Sequence, residues 1–348
     1  MSIHTNYLYM YVNMRKRQQI IYLDQFSVSE MVFGEGIWET IRTLLVNAVE
    51  SGKVICPIPL EHFIETAGLE RDKAIQQDLF FKSISQGKSF FPWEYIAANE
   101  ILLYTKFKKN KRILASYIRE LHGDYDIEEE AIFQKHRQIR GDYLSTKDKE
   151  NLNFIRQLSR DSIGPNVDKA SLSKEEKKEK RRQRNKYEAN KEIIKETLLF
   201  HAVKSYIDLF REICIGKKLQ ANLLYLHRPE ERIALILCRK RFTGRNFLSA
   251  SNELQKNQFA NIPSLYTYYS LKTYYANYQM VEKANDDIDW ERIASGIFIS
   301  DIMLIDRRQK YAIQAMRIDK KYRTELYSNK HDDVIALKDK LEQINMEY

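Results

Sequence analysis

The sequence predicts an α/β protein with a parallel sheet whose strands come from both ends of the chain. Near the N-terminus, the short apolar runs IIYL and VICPIP alternate with amphipathic helical patterns. A third run, IMLI, appears only after residue 300. All three runs are continuously apolar, which is typical of strands covered on both faces of a parallel sheet.

The first half of the predicted core occupies residues 19–70. IIYL is predicted to be a strand that ends at Asp24, and GIWETIRTLLVNAVESG a helix that ends near Gly52. VICPIP is predicted to be a second strand, followed by a helix over LEHFIETAG that stops at Gly68. Apolar spacing of three and four residues, closed by glycine, favours this β-α-β-α order.

Helical spacing dominates the middle of the chain, residues 71–261, where the strand signal nearly vanishes. Within this region, residues 173–192 are rich in Lys, Arg and Glu and almost free of apolar side chains. Such a segment cannot join a core, so we expect either a solvated helix or a disordered segment.

The α/β character returns in residues 262–325, with a helix opened by acids, the strand IMLI and a further helix. Residues 326–348 are assigned to a C-terminal helix, whose amphipathic pattern covers residues 331–346. A large helical insertion into one α/β domain explains this order more simply than three consecutive domains.

Composition and charge narrow the classes of function. The formal net charge of +9 suits a polyanionic partner, although a Lys- and Asn-rich chain from an AT-biased genome is also basic. No apolar run approaches the roughly 18 residues of a membrane span, so we expect a cytoplasmic protein without a membrane partner. The phosphate-binding patterns GxxxxGK[ST] and GxGxxG are missing, which argues against ATP- and NAD-binding folds.

Six acidic residues stand at the ends of the apolar segments. They are Asp24, Glu65, Asp286, Asp289, Asp301 and Asp306. Ionised acids are rarely buried unless they are paired or bind a metal. Ligands of parallel sheets bind beyond the carboxyl ends of the strands, where Asp24 and Asp306 both emerge. The pattern therefore predicts a metal-binding acidic pocket.

Strand and helix geometry sorts these acids. Asp301 and Asp306 bracket one strand and should lie about 16 Å apart, so they cannot share a metal. We keep Asp306, at the carboxyl end, and interpret Asp301 as a structural cap or turn residue. Asp286 and Asp289 lie three apart at a helix start, where one of them caps the helix or both share a role.

The remaining acids, Asp24, Glu65, Asp289 and Asp306, come from four separate segments. Oxygen-only ligation favours Mg²⁺ or Mn²⁺ over zinc.

At this point the residues resemble the PIN-like nuclease family. The matching pieces are LDQFS, the EHFIET helix, ND-x-x-D followed by ERIA, and the D-x-x-x-x-DRR strand. They cover roughly residues 19–70 and 262–325. The helical insertion has no counterpart in a minimal PIN domain, and Ile305 stands where many members have Thr or Ser.

This resemblance implies a three-layer PIN-like core and metal-dependent hydrolysis of phosphodiester bonds. Asp24, Glu65, Asp289 and Asp306 are then the catalytic residues and hold Mg²⁺ or Mn²⁺, with Asp286 as a further ligand. A metal-bound water is the nucleophile, so no histidine or cysteine nucleophile is required.

Neighbouring residues extend the site. His62, three residues before Glu65, is either a partner of the ligands or a structural histidine. Arg307 and Arg308 are either phosphate clamps or solvated residues at a helix start. Basic segments that we expect to bind nucleic acid contribute Lys108, Lys109, Arg181 and Arg182.

The leading hypothesis is an endoribonuclease of the kind that PIN-like proteins supply to toxin-antitoxin or phage-defence systems, and such an enzyme needs an inhibitory or regulatory protein partner. RNA is preferred because most of the family cuts RNA. A structure-specific DNA nuclease and a non-catalytic nucleic-acid-binding scaffold with a degenerate PIN core remain as alternatives.

Overall fold

A computed structural model gives the fold of the chain. It describes residues 18–59, 62, 71–107, 110–123, 233, 236–237, 259–277 and 286–347. In chain order, the described elements are β1 (Gln19–Leu23), α1 (Gln25–Phe33), α2 (Ile37–Glu50), β2 (Val54–Ile55), α3 (Arg71–Ser85), α4 (Trp93–Phe107), α5 (Lys111–Gly123), α6 (Pro263–Asn277), α7 (Asp286–Gly296), β3 (Ile302–Leu304), α8 (Arg307–Ala315), α9 (Ile318–Tyr322), β4 (Glu325–Tyr327) and α10 (His331–Met346).

The four strands form one parallel sheet in the order β2-β1-β3-β4. β1 lies directly beside β3, with Ile21 opposite Ile302 and Leu23 opposite Leu304. Strands from the two ends of the sequence are therefore immediate neighbours. The predicted α/β class with a parallel sheet is confirmed.

Helices cover both faces of this sheet. Ile20 and Tyr22 of β1 pack into a cluster with α4, α6, α7 and α8, whereas Ile21 and Leu23 pack with α1, α2, α3 and α10. All four side chains are at most 4% exposed. Burial on both faces explains why this strand is continuously apolar instead of alternating.

Helix α1 was not predicted from the apolar pattern. It buries only Ser27, Val28 and Met31, so its periodic signal is weak. The helix ends at Gly34, whose N–H donates to Glu30 O at 2.7 Å. A Cβ at Gly34 would lie 2.4 Å from that oxygen, so a residue without a side chain is needed to close the helix.

The C-terminal helix is found where it was predicted, since α10 covers residues 331–346. Strand β4 was missed, because three residues are too few for an alternation pattern. It spans the predicted boundary between residues 325 and 326 and pairs with β3.

Several predicted segments lie largely outside the described residues. In the predicted helix LEHFIETAG, only His62 is described, and it is helical. Between residues 124 and 258, the described positions are Ile233, Ile236 and Leu237, all of them helical. Ile233 and Leu237 are buried in the cluster that contains α6 and α7. Within the described part of the chain, no helix is long and apolar enough to cross a membrane.

Asp301 pins the amino-terminal edge of the sheet. Its Oδ2 accepts a hydrogen bond from Ile20 N at 2.8 Å, and its own N–H donates to Ile20 O at 2.9 Å. Its O accepts from Glu325 N at 2.9 Å. Asp301 therefore ties β1, β3 and β4 together, which is the structural role that its position predicts.

Replacing Asp301 with alanine should lower the free energy of unfolding by about 1–3 kcal/mol, because the Ile20 N–H would lose its acceptor in a buried strand. Asp301→Asn keeps an acceptor oxygen and should cost much less. Urea unfolding of the two variants measures the difference, and equal losses would show that the hydrogen bond is not the stabilising interaction.

Candidate active site

The strand order places the reversal point of the sheet between β1 and β3. In the strand order, β2 lies next to β1 in one direction across the sheet, and β4 lies next to β3 in the opposite direction. Such a reversal between neighbouring parallel strands is where α/β sheets bind ligands. Asp24 directly follows β1, and Asp306 lies two residues after β3. The register, with Leu23 opposite Leu304, brings both acids to the same edge.

Both of these acids also begin a helix. Asp24 Oδ1 accepts from Gln25 N at 2.8 Å at the start of α1. Asp306 Oδ1 accepts from Arg308 N at 2.6 Å and from Gln309 N at 3.3 Å at the start of α8. Each carboxylate thus satisfies N–H groups that have no partner within the helix. These hydrogen bonds fix each carboxylate at the carboxyl-terminal edge of the sheet.

Arg292 forms the centre of the site, although sequence reasoning did not identify it. Its side chain is fully buried, and Nη2 lies 2.7 Å from Asp289 Oδ1 on the same helix, α7. Nη1 lies 3.6 Å from Asp24 Oδ1, on the other half of the chain. The two carboxylates are 14% and 23% exposed, so they lie between the buried guanidinium and solvent.

His62 lies beneath Asp24 and is fully buried. Its Nε2 is 2.7 Å from Leu23 O. A carbonyl only accepts, so Nε2 carries the proton, and Nδ1 accepts from Arg292 Nη1 at 3.3 Å. Burial and, to a smaller extent, the Arg292 charge lower the pKa of His62 well below its ordinary range. His62 is therefore neutral and supports the strand end and Arg292.

Two acids of α7, Asp286 and Asp289, contact side chains of α8. Asp289 Oδ2 accepts from Gln309 Nε2 at 2.8 Å, which connects it to the helix that Asp306 begins. Asp286 Oδ2 lies 3.3 Å from Arg308 Nη1. The Arg308 guanidinium also stacks over the ring of Tyr275, 4.5 Å from its centroid. Both oxygens of Asp289 are thus engaged by side chains of this protein.

The structure therefore brings four of the predicted acids to one region. Asp24 and Asp289 share Arg292, while Asp289 and Asp306 share Gln309. Four carboxylates, counting Asp286, stand against the two guanidiniums of Arg292 and Arg308. Because the carboxylates outnumber the guanidiniums, this group of side chains has a net negative charge.

Several predicted site residues are not part of the described structure. Glu65, the fourth predicted ligand, lies outside it, as do the predicted nucleic-acid contacts Lys108, Lys109, Arg181 and Arg182. Of the two arginines after Asp306, Arg307 is exposed and Arg308 is half-buried. Among the described residues, no group of three or more His, Cys, Asp or Glu side chains is arranged to hold a metal ion.

Gln25, which follows Asp24, contacts Gln77, and neither glutamine was predicted as a site residue. Gln25 Nε2 donates to Gln77 Oε1 at 3.3 Å. Gln77 is 1% exposed, and its Nε2 has no hydrogen-bond partner among the described residues. For Arg292, the sequence signal was its i, i+3 spacing from Asp289, which places both residues on one face of a helix.

Comparison of the chain with models of known protein families, with curated proteins and with solved structures finds no match. The chemistry of the site is therefore inferred from its own geometry.

Replacing Arg292 with methionine should lower the free energy of unfolding by about 3–5 kcal/mol, because two carboxylates would lose their buried counter-charge. Arg292→Lys keeps the charge without the planar fork and should give an intermediate loss. Urea titration in EDTA measures both. Arg42→Met, at a half-exposed position 3.9 Å from Glu39, is the control and should change little. Full stability of Arg292→Met would contradict the central role of this residue.

The neutral state of His62 predicts a pH dependence of stability. The pKa of His62 is lowered in the folded state, so below pH about 6.5 the unfolded chain binds a proton that the folded protein does not. The free energy of unfolding therefore decreases as the pH is lowered. His62→Gln removes this titration. The stability advantage of the natural protein over His62→Gln should shrink by about 1 kcal/mol between pH 7 and 5.5. Parallel urea-unfolding profiles across this range would refute the assignment.

Proposed function

We propose that this protein is a metal-dependent nuclease with a PIN-like core that hydrolyses phosphodiester bonds, and that RNA is its substrate. The observation that carries the proposal is the position of Asp24 and Asp306. They emerge from adjacent parallel strands at the reversal point of the sheet, with Asp289 connected to both through Arg292 and Gln309. Two distant parts of the chain meet to build this acidic edge.

The donor set fits a hard divalent cation, because its oxygens are all carboxylate. Asp306 uses only Oδ1 in capping α8, and its Oδ2 makes no hydrogen bond to a described residue. In this proposal Asp24 and Asp306 hold Mg²⁺ or Mn²⁺, together with Glu65, Asp289 and Asp286. An ion held by these residues would supply a coordinated water of lowered pKa and positive charge to offset that of the phosphodiester.

The backbone around the acids favours a phosphate. Helices α1 and α8 both begin at this edge, and their dipoles add positive potential there, while Asp24 and Asp306 already cap their first N–H groups. In this proposal Arg307, which is exposed at the first position of α8, contacts a scissile phosphate bidentately. Arg308 is already engaged by Asp286, so a role as a second clamp requires it to leave that carboxylate.

The preference for RNA over DNA rests on the resemblance of LDQFS, EHFIET, ND-x-x-D and D-x-x-x-x-DRR to the PIN-like family. By the same reasoning we propose a cytoplasmic toxin or phage-defence effector that is controlled by a protein partner. A structure-specific DNA nuclease is the alternative substrate class.

A non-catalytic nucleic-acid-binding scaffold is the second candidate, and one observation favours it. Arg292 already supplies a cation to Asp24 and Asp289, and Gln309 occupies the second oxygen of Asp289. A carboxylate that is neutralised by the protein itself has less affinity for a metal. The two candidates differ in whether metal displaces these contacts.

Asp24→Asn and Asp306→Asn should each lower cleavage of labelled RNA in Mn²⁺ by at least about 100-fold, since partners of metal ligands alone are worth about 10- to 100-fold. Asparagine caps helices as well as aspartate, and Arg292 keeps Asp289 as its counter-charge in Asp24→Asn, so both variants should fold. Asp301→Asn, at the opposite edge of the sheet, is the matched control and should remain active.

Parallel reactions with labelled DNA and with EDTA complete the experiment. Cleavage of RNA that needs metal and is lost in both variants supports the proposal. Cleavage of DNA alone favours the alternative substrate. Nucleic-acid binding without cleavage by the natural protein favours the scaffold, and an active Asp24→Asn variant refutes the assigned site.

A further inference from the structure

A second charged surface lies around α9, the short helix between α8 and β4. Four cationic side chains are exposed there, namely Arg317, Lys320, Lys321 and Arg323. The other face of the helix is anchored in the protein. Ile318 is fully buried, and the ring of Tyr322 packs edge-on against Phe298, with centroids 5.4 Å apart. We call the four cations the α9 surface.

The α9 surface lies at the amino-terminal edge of the sheet, opposite the acidic edge. Helix α8 begins at Asp306 and runs back along the sheet for nine residues, about 13 Å. β4 starts directly after α9, and Glu325 N at its beginning donates to Asp301 O. Any function of this surface is therefore separate from the chemistry at Asp24 and Asp306.

The backbone at this surface adopts an unfavourable conformation. Arg317 and Arg323, the two caps of α9, both lie in the left-handed region, with φ of 57° and 63°. Asn or Gly would adopt this conformation at lower cost than arginine. Unfavourable backbone of this kind persists only where the surrounding structure holds it in place, and it clusters at functional sites. Neither Arg317 nor Arg323 forms an ion pair with a described residue, and both side chains are exposed.

The cations are held close together. Arg317, Lys320 and Lys321 are spaced i, i+3 and i+4, so they share one helix face. Lys321 Nζ lies 3.4 Å from the centroid of the Tyr266 ring, which fixes that side chain. The acid within the helix, Asp319, is buried and 3.9 Å from Lys320 Nζ. The surface is therefore strongly positive.

We propose that the α9 surface binds the phosphate backbone of a nucleic-acid strand. Arginine forks match phosphate oxygens bidentately, and the two caps lie at opposite ends of the five-residue helix, so they can reach neighbouring phosphates of one strand. A membrane surface fits less well, because the large hydrophobic side chains exposed in the described structure lie on other elements. Neither α9 nor its caps carries an apolar anchor.

This inference goes beyond the proposed nuclease, because it requires neither metal nor catalysis. It places a strand-binding surface on the side of the sheet away from the acids. A nucleic acid that contacted both the α9 surface and the acidic edge would have to pass around the protein. The α9 surface therefore tethers the strand and does not form part of the active site.

Arg317→Asn together with Arg323→Asn tests the proposal in the full-length protein. Binding to a fluorescent single-stranded RNA of about 20 nucleotides is measured in EDTA, between about 50 and 200 mM salt. Loss of two phosphate contacts should reduce the slope of log K against log salt by about 1.4 and weaken binding about 20-fold near 100 mM salt. Because Asn tolerates the left-handed conformation, the unfolding midpoint should stay the same or rise by up to about 3 °C.

Two control variants separate local contacts from net charge. Arg317→Lys with Arg323→Lys keeps both charges and should retain the salt slope. Arg42→Asn with Lys330→Asn removes the same charge elsewhere and should leave RNA binding nearly unchanged. A loss equal to that of the test variant in this second control would overturn the proposal, because it would reflect overall charge alone.

Vesicles of phosphatidylserine and phosphatidylcholine provide the membrane arm. Vesicle binding that depends on Arg317 and Arg323, with RNA binding unaffected, would overturn the proposal in favour of a lipid surface. Absence of RNA binding by the natural protein would also overturn it. Inactivity in the cleavage assay bears only on the nuclease proposal, since binding is measured without metal.

Discussion

The site depends on the burial of one guanidinium. Moving a charged group out of water costs several kcal/mol, and Arg292 offsets that cost only if partners surround it. Asp24 comes from the first strand, His62 from the segment after the second, and Asp289 from the same helix as Arg292. These partners are brought together only when both ends of the chain have folded onto one sheet. Arg292 therefore couples assembly of the core to assembly of the acidic edge.

The acids of this edge serve structure and chemistry with the same atoms. Asp24 and Asp306 end strands and begin helices, so their positions are set by backbone geometry before any ligand is considered. Catalytic carboxylates need this kind of preorganisation, because they must be held in place without reorganising during the reaction. The contacts of Asp289 with Arg292 and Gln309 add a constraint, since a metal would have to compete with them. The charge balance of the site will decide between catalysis and binding.

The fold was predictable in part from apolar patterns, but the run VICPIP, predicted as a full strand, forms one only over Val54–Ile55. Continuous runs identified β1 and β3, and periodic spacing identified α10 residue by residue. β4 and α1 escaped because one is three residues long and the other buries few side chains. Arg292 escaped for a different reason. In the sequence ERIAS it resembles a solvated helix residue, and nothing local indicates that its side chain is fully buried.

The sequence by itself determined the α/β class, the position of Asp24 and Asp306 at strand ends, and the structural role of Asp301. These follow from local periodicity and from the fixed geometry of parallel strands. Only the tertiary structure decided which acids share a cation, that His62 is buried and neutral, and that four cations gather around α9. Such facts depend on which side chains meet across the fold, and burial and pairing of charges are properties of contacts that local sequence does not encode.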